Sequence, residues 1–240
     1  VTSDSAPVPA SVLGLAPVIP VVVLDDAADA VPLARALVAG GLPAVEVTLR
    51  TPAALDAIRA IAAEVPDAVV GAGTVLNAEA VAASAAAGAR FLVSPGTTDG
   101  LLTAMAASGL PYLPGVSTVS EAMGLLERGV TEMKFFPAEA SGGTAYLKSL
   151  ASPLPRARFC PTGGITAESA TRYLALPNVG CVGGTWMLPK AALAAQDWAT
   201  VTKLAAGAAA LGQGSGAAAA YGLSAGATCR SAGVRSRARP

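Results

Sequence analysis

Residues 44–51 read AVEVTLRT, a segment with two faces. Successive side chains of a strand point to opposite sides. Val45, Val47 and Leu49 therefore share one face, and Glu46, Thr48 and Arg50 share the other. Thr51-Pro52 follows, the pattern of a helix N-cap and first-turn proline. Leu55, Ile58 and Ile61 then recur on one helical face. A strand that turns its apolar face to helices must send its polar face elsewhere. The interior of a parallel barrel is one such place. There Glu46 is a buried or half-buried carboxylate, and Arg50 stands at the rim.

The same strand-then-helix unit recurs along the chain. The apolar runs are VIPVVV (18–23), AVEVTL (44–49), AVVGAG (68–73), RFLVSP (90–95), YLPG (112–115), EMKFFP (132–137), RFCPTGG (158–164) and VGCVGGT (179–185). Asn77, Thr118 (with Glu121 at capping-box spacing) and Thr166 read as N-caps. Gly40, Gly88, Gly109 and Gly129 read as helix ends. Strands alternating with helices imply an α/β fold on a parallel sheet. Eight units predict a single-domain (β/α)8 TIM barrel, with an open doubly wound sheet as the alternative. The barrel is expected over residues 12–206. Residues 1–11 read as a loose leader, and 207–240, rich in Gly, Ala, Ser and then Arg, as a low-complexity, disordered tail.

Composition narrows the function classes. Hydrophobic residues make up 53% of the 240 and charged residues 13%, so a large buried core is expected. Four arginines (Arg230, Arg235, Arg237, Arg239) lie near the end, which leaves residues 1–229 with a net charge of about −4. That argues against a nucleic-acid partner for the main body. Three scattered cysteines make neither a disulfide framework nor a metal site. No apolar run is long enough for a membrane span, and no basic segment precedes an apolar one as in a signal peptide. A reducing, cytoplasmic location is expected. The chain has no histidine, so a Ser-His-Asp triad and a histidine-bound metal are excluded. Proton transfer falls to carboxylates, lysine, tyrosine, cysteine or water.

Residues 131–143, TEMKFFPAEASGG, place Lys134 among Met133, Phe135 and Phe136. Burying an ammonium is costly unless it is paired or neutralised. One reading is an ion pair with a carboxylate, or a side chain reaching the rim. The other is a nucleophile, because burial disfavours the charged form of an amine. The ends of the other strands supply possible partners. GAGT and SPGTT offer glycines for close approach, with hydroxyls at Thr74 and Ser94; Gly71 and Gly73 could equally just relieve crowding. PTGGIT and VGGTW end the last two strands in diglycines, at the usual phosphate position of a barrel. Backbone N–H groups of Gly163, Gly164, Gly183 and Gly184, with Thr185, would bind an anion there, unless these are plain turns. An amine beside a carboxylate and an anion cradle suits attack on a ketone and imine formation, with no metal.

In order and spacing, VEVTLRTPAALDAI, VGAGTVLN, SPG, PGVSTVSE, MKFFPAEASGG, RFCPTGGI and VGGTW resemble the 2-dehydro-3-deoxy-phosphogluconate (KDPG) aldolases, including forms that also cleave 4-hydroxy-2-oxoglutarate (KHG). The resemblance spans about residues 12–205. It implies a class I aldolase of the Entner–Doudoroff pathway: a (β/α)8 barrel, a homotrimer, needing no cofactor. Such an enzyme splits a small phosphorylated keto acid into pyruvate and glyceraldehyde 3-phosphate. It further implies Lys134 as the Schiff-base lysine and Glu46 as the general acid/base. Arg50 and Thr74 would contact the pyruvyl carboxylate, and Pro95, in SPG, would line the substrate site. Thr162 would sit where stereochemistry is discriminated. Gly163, Gly164, Gly184 and Thr185 would hold phosphate. One departure is APVIPVV, which has no arginine before the first strand. Competing readings are the same chemistry on KHG or the galactonate epimer, an isomerase or synthase without an imine, and a phosphosugar-binding barrel.

Overall fold

The structure, a computed structural model, describes residues 9–213. The rest of the expected leader and tail lies outside the described residues. All eight apolar runs form strands. β1 (Val18–Val22), β2 (Ala44–Thr48), β3 (Val69–Gly73) and β4 (Leu92–Val93) come first. The fifth run is cut by Pro114, which has no N–H to give a ladder. It yields β5 (Tyr112–Leu113) and β6 (Gly115–Val116). β7 (Glu132–Phe135), β8 (Arg158–Pro161) and β9 (Val182–Gly184) follow. Between them stand α1 (Ala30–Ala39), α2 (Ala54–Glu64), α3 (Ala78–Ala86), α4 (Asp99–Ala107) and α5 (Val119–Glu127). The later helices are α6 (Gly143–Leu150), α7 (Ala167–Leu174), α8 (Lys190–Ala194) and α9 (Trp198–Ala209).

The strands pair in parallel, in the orders β5-β4-β3-β2-β1-β9 and β6-β7-β8. Parallel bridges Phe159–Val179 and Thr162–Gly183 join the β8 and β9 segments. The fold is thus α/β on a curled parallel sheet. Its core has two parts. Val45 and Val47 pack with helix residues such as Leu37, Ile58 and Ile61. On the other side Val12, Leu13, Ile19, Phe91, Leu113 and Cys181 form an inner cluster. The alternation of β2 is realised: its apolar face meets helices, and Glu46 and Thr48 are buried on the opposite face.

Local signals behave as expected at most positions. Asn77, Thr118 and Thr166 cap α3, α5 and α7, and Thr118 with Glu121 forms a capping box. Gly88, Gly109 and Gly129 adopt the positive φ that favours glycine. Two positions differ. Thr51 does not cap α2, which starts at Ala54; its hydroxyl donates to the Leu24 carbonyl and ties the loop after β2 to the loop after β1. Gly40 ends α1 at φ −80, outside the left-handed region. A Cβ there would stand 2.5 Å from the Ala205 Cβ and 2.7 Å from the Thr202 carbonyl oxygen, so this glycine admits α9 against α1. α9 itself runs on past residue 206, the expected end of the barrel. Ala205 and Ala208 are buried, and a 3-10 turn (Ala210–Gln213) follows α9. No helix among the described residues is long and apolar enough to cross a membrane.

Candidate active site

Lys134 lies mid-strand in β7, in register with Gly115 of β6 and Cys160 of β8. Its Nζ donates to Glu46 Oε1 at 3.2 Å, and both side chains are only 3% exposed. The pair spans the space inside the curled sheet, because β2 and β7 belong to different sheets. Glu46 is held from behind by Gly73, where a Cβ would lie 2.2 Å from Glu46 Oε1. Gly71 does the same for the Phe91 ring. Relief of crowding is therefore what both glycines provide, and at Gly73 it makes room for the carboxylate. Thr48, one inward position further along β2, donates to the Val22 carbonyl at 2.9 Å and locks β2 to β1.

At the rim, Arg50 Nε donates to Thr74 Oγ1 at 3.0 Å. Thr74 follows β3 with φ 57, a left-handed conformation rare for a β-branched residue. Such strain costs of order 1–3 kcal/mol and persists where the surroundings enforce it, often at functional sites. Pro95 follows β4, and a Cβ on Gly115 would come within 2.3 Å of its carbonyl carbon. Ser94 is fully buried and accepts from the Gly115 N–H at 3.2 Å, so its hydroxyl braces β6.

The diglycine after β8 is a turn in which Gly163 and Gly164 have φ 107 and 78. The diglycine of β9 differs: Gly183 and Gly184 are buried strand residues that leave room for their neighbours. A Cβ on Gly183 would meet Thr162 Oγ1 at 2.3 Å, and one on Gly184 would meet the Trp186 ring at 1.9 Å. Thr162 bridges to Gly183, and Thr185 just beyond is exposed. The two strand ends therefore adjoin. Lys134 is linked to them through Phe136. The Phe136 ring centroid lies 5.4 Å from Lys134 Nζ, and a Cβ on Gly163 would lie 3.3 Å from that ring. Phe136, expected inside the buried strand, instead follows its end and is half-buried, with a cis bond to Pro137. A cation over an aromatic face is a stabilising contact that the residue pattern did not reveal.

The described thiols are poor nucleophiles. Cys160 and Cys181 are buried free thiols. The neighbouring Cys160 and then burial push the Cys181 thiol well above its usual range, so it stays protonated. Among the described residues no group of three or more Cys, Asp or Glu side chains is placed to hold a metal ion.

A curled parallel α/β sheet with a buried amine against a carboxylate is an arrangement suited to imine chemistry. The chain belongs to the KDPG and KHG aldolase family, whose match covers residues 10–204. A 2-dehydro-3-deoxy-phosphogluconate aldolase of Pseudoalteromonas atlantica is 54% identical over 189 residues, 79% of this chain and 88% of that one. The KDPG aldolase of Legionella pneumophila, with pyruvate captured as a covalent carbinolamine, superposes with TM-score 0.80 and 46% identity, over 82% of this chain and 96% of that one. The aldolase of Zymomonas mobilis with 3-phosphoglycerate gives TM-score 0.79 and 52% identity, over 83% and 93%.

Proposed function

We propose that this protein is a class I aldolase that cleaves 2-dehydro-3-deoxy-6-phosphogluconate into pyruvate and glyceraldehyde 3-phosphate. The observation that carries this reading is the buried Lys134–Glu46 contact of 3.2 Å. Lys134 Nζ must give up a proton before it attacks, and Glu46 Oε1 is the group in reach. The amine adds to the C2 ketone to form a carbinolamine. Glu46 returns a proton to the departing hydroxyl, and water leaves an iminium. Glu46, or a water it holds, then takes the C4 hydroxyl proton. The C3–C4 bond breaks, its electron pair passes into the iminium, and C4 leaves as the aldehyde of glyceraldehyde 3-phosphate. Protonation of the enamine at C3 and hydrolysis free pyruvate and restore Lys134.

The remaining roles follow the family resemblance. Arg50, fixed by Thr74, receives the substrate carboxylate. Pro95 lines the substrate site, and Thr162 stands where stereochemistry is discriminated. The Gly163–Gly164 turn receives the phosphate through backbone N–H groups, with Gly184 at the end of β9 and the exposed Thr185 beside it. The structure of the Zymomonas mobilis aldolase with 3-phosphoglycerate supports a site for a phosphorylated acid. The proposal extends to a closed eight-stranded barrel, supported by the bridges between β8 and β9. Following the family resemblance, it also extends to a cytoplasmic homotrimer that uses no cofactor and binds neither nucleic acid nor membrane. A second substrate, 4-hydroxy-2-oxoglutarate, is favoured by the family match itself. Pyruvate release from this compound, from the phosphogluconate derivative and from its galactonate epimer tests the assignment. The phosphogluconate derivative is expected to have the highest kcat/KM. Absence of pyruvate from all three would contradict it.

A further inference from the structure

Glu139 belongs to the MKFFPAEASGG stretch yet has no part in the imine chemistry. Its Oε1 accepts from the Tyr173 hydroxyl at 2.8 Å. Tyr173 is fully buried on α7, whereas Glu139 reaches the surface. The backbone N–H of Ala138 donates to the Thr162 carbonyl at 2.8 Å, and that of Glu139 to the Gly163 carbonyl at 3.1 Å. A Cβ on Gly164 would lie 2.8 Å from the Glu139 Cγ. Gly142 and Gly143, at φ 106 and 59, fold the chain back so that the Gly143 N–H donates to the Ala138 carbonyl at 2.9 Å. A Cβ on Gly143 would stand 3.3 Å from the Tyr173 hydroxyl and 3.5 Å from Glu139 Oε2. Glu139 thus joins three segments: from the loop after β7 its backbone N–H bonds the turn after β8, its methylene packs on Gly164, and its carboxylate bonds the helix after that turn.

A carboxylate beside a phosphate cradle opposes anion binding by Coulomb repulsion. Its use there is therefore in geometry, not in direct contact with phosphate. Burial first, then the Glu139 carboxylate, hold the Tyr173 phenol well above its usual range, so it stays a donor even where a free phenol would ionise.

We propose that Glu139, acting through Tyr173, is a positioning residue that sets the Gly163–Gly164 turn, and so tunes affinity for phosphorylated substrate without touching the chemistry at Lys134. The inference rests on the aldolase reading above. The test compares Glu139→Ala, Tyr173→Phe and Glu139→Gln in two assays. One is steady-state cleavage of 2-dehydro-3-deoxy-6-phosphogluconate. The other is exchange of pyruvate methyl protons with deuterium from solvent, which needs Lys134 and Glu46 but no phosphate. Loosening of the turn is expected to raise KM several-fold, up to roughly tenfold, in Glu139→Ala and Tyr173→Phe, the ceiling being about the worth of one hydrogen bond to a charged group. Their kcat and pyruvate exchange stay within about twofold of the parent, the pattern of lost binding and intact chemistry. Glu139→Gln keeps an acceptor oxygen and stays within about threefold of the parent KM. Unchanged KM in Glu139→Ala, a Glu139→Gln as impaired as the alanine variant, or exchange that falls in step with cleavage would each overturn the proposal. Absence of exchange in the parent protein would instead remove the imine reading, so the two failures are distinguishable.

Discussion

Lys134 Nζ and Glu46 Oε1 stand 3.2 Å apart, each side chain 3% exposed, on strands β7 and β2 that share no pairing. The contact unites the two halves of the curled sheet and places a proton acceptor against the amine. It also concentrates electrostatic risk. Two buried charges are tolerable together, and either alone is not.

Lys134→Met and Glu46→Gln should each abolish or severely slow turnover, and each should weaken the fold. Removing one partner of a buried pair typically costs about 3–5 kcal/mol. The double variant Lys134→Met/Glu46→Gln leaves no unpaired charge and should recover most of that loss while remaining inactive. Urea unfolding of the three variants at pH 7 gives the coupling. Strictly additive losses would mean that the two groups do not interact in solution.

Gly73→Ala should damage catalysis more than stability. Its Cβ would stand 2.2 Å from Glu46 Oε1 and 2.6 Å from its Cγ, so the carboxylate must move away from Lys134. Displacement of a catalytic group by about 1 Å can cost roughly 100-fold in rate, whereas overpacking typically costs about 1–3 kcal/mol. A kcat near the parent value would show that Glu46 need not sit where the structure has it.

Thr74→Gly should trade function for stability. The strain at φ 57 disappears with the side chain, and after glycine's own entropy cost the gain is about 1 kcal/mol. The hydroxyl that accepts from Arg50 disappears too, so KM for keto-acid substrates should rise. Thr74→Ser keeps the hydroxyl and should restore the KM. Thermal unfolding and steady-state kinetics on the same samples check both halves.

The fold was legible where a period or a forced conformation carries the information. The alternation of β2 placed Glu46 and Thr48 inward, because a strand has no third direction for a side chain. The glycines at 88, 109 and 129 announced helix ends, since few other residues accept their φ. Thr51 misled because a threonine before a proline is equally able to bond a neighbouring loop, and that loop lies 27 residues away. Gly40 and the alanines of α9 meet through a close approach between helices distant in sequence, which no local pattern records. At the site, Lys134, Glu46 and the turn at Gly163–Gly164 stood out by chemistry that is unusual for their setting. The brace between Glu139 and Tyr173 did not. Its partners are ordinary residues separated by 34 positions, and only folding makes them neighbours.

Borohydride reduction in the presence of pyruvate, followed by peptide mass mapping, tests the central assignment most directly. An imine on Lys134 would be reduced to a stable secondary amine, and the expected result is a pyruvyl adduct on the peptide carrying Lys134 and on no other lysine. A folded sample that yields no adduct, or one whose adduct maps to Lys148, Lys190 or Lys203, would contradict it.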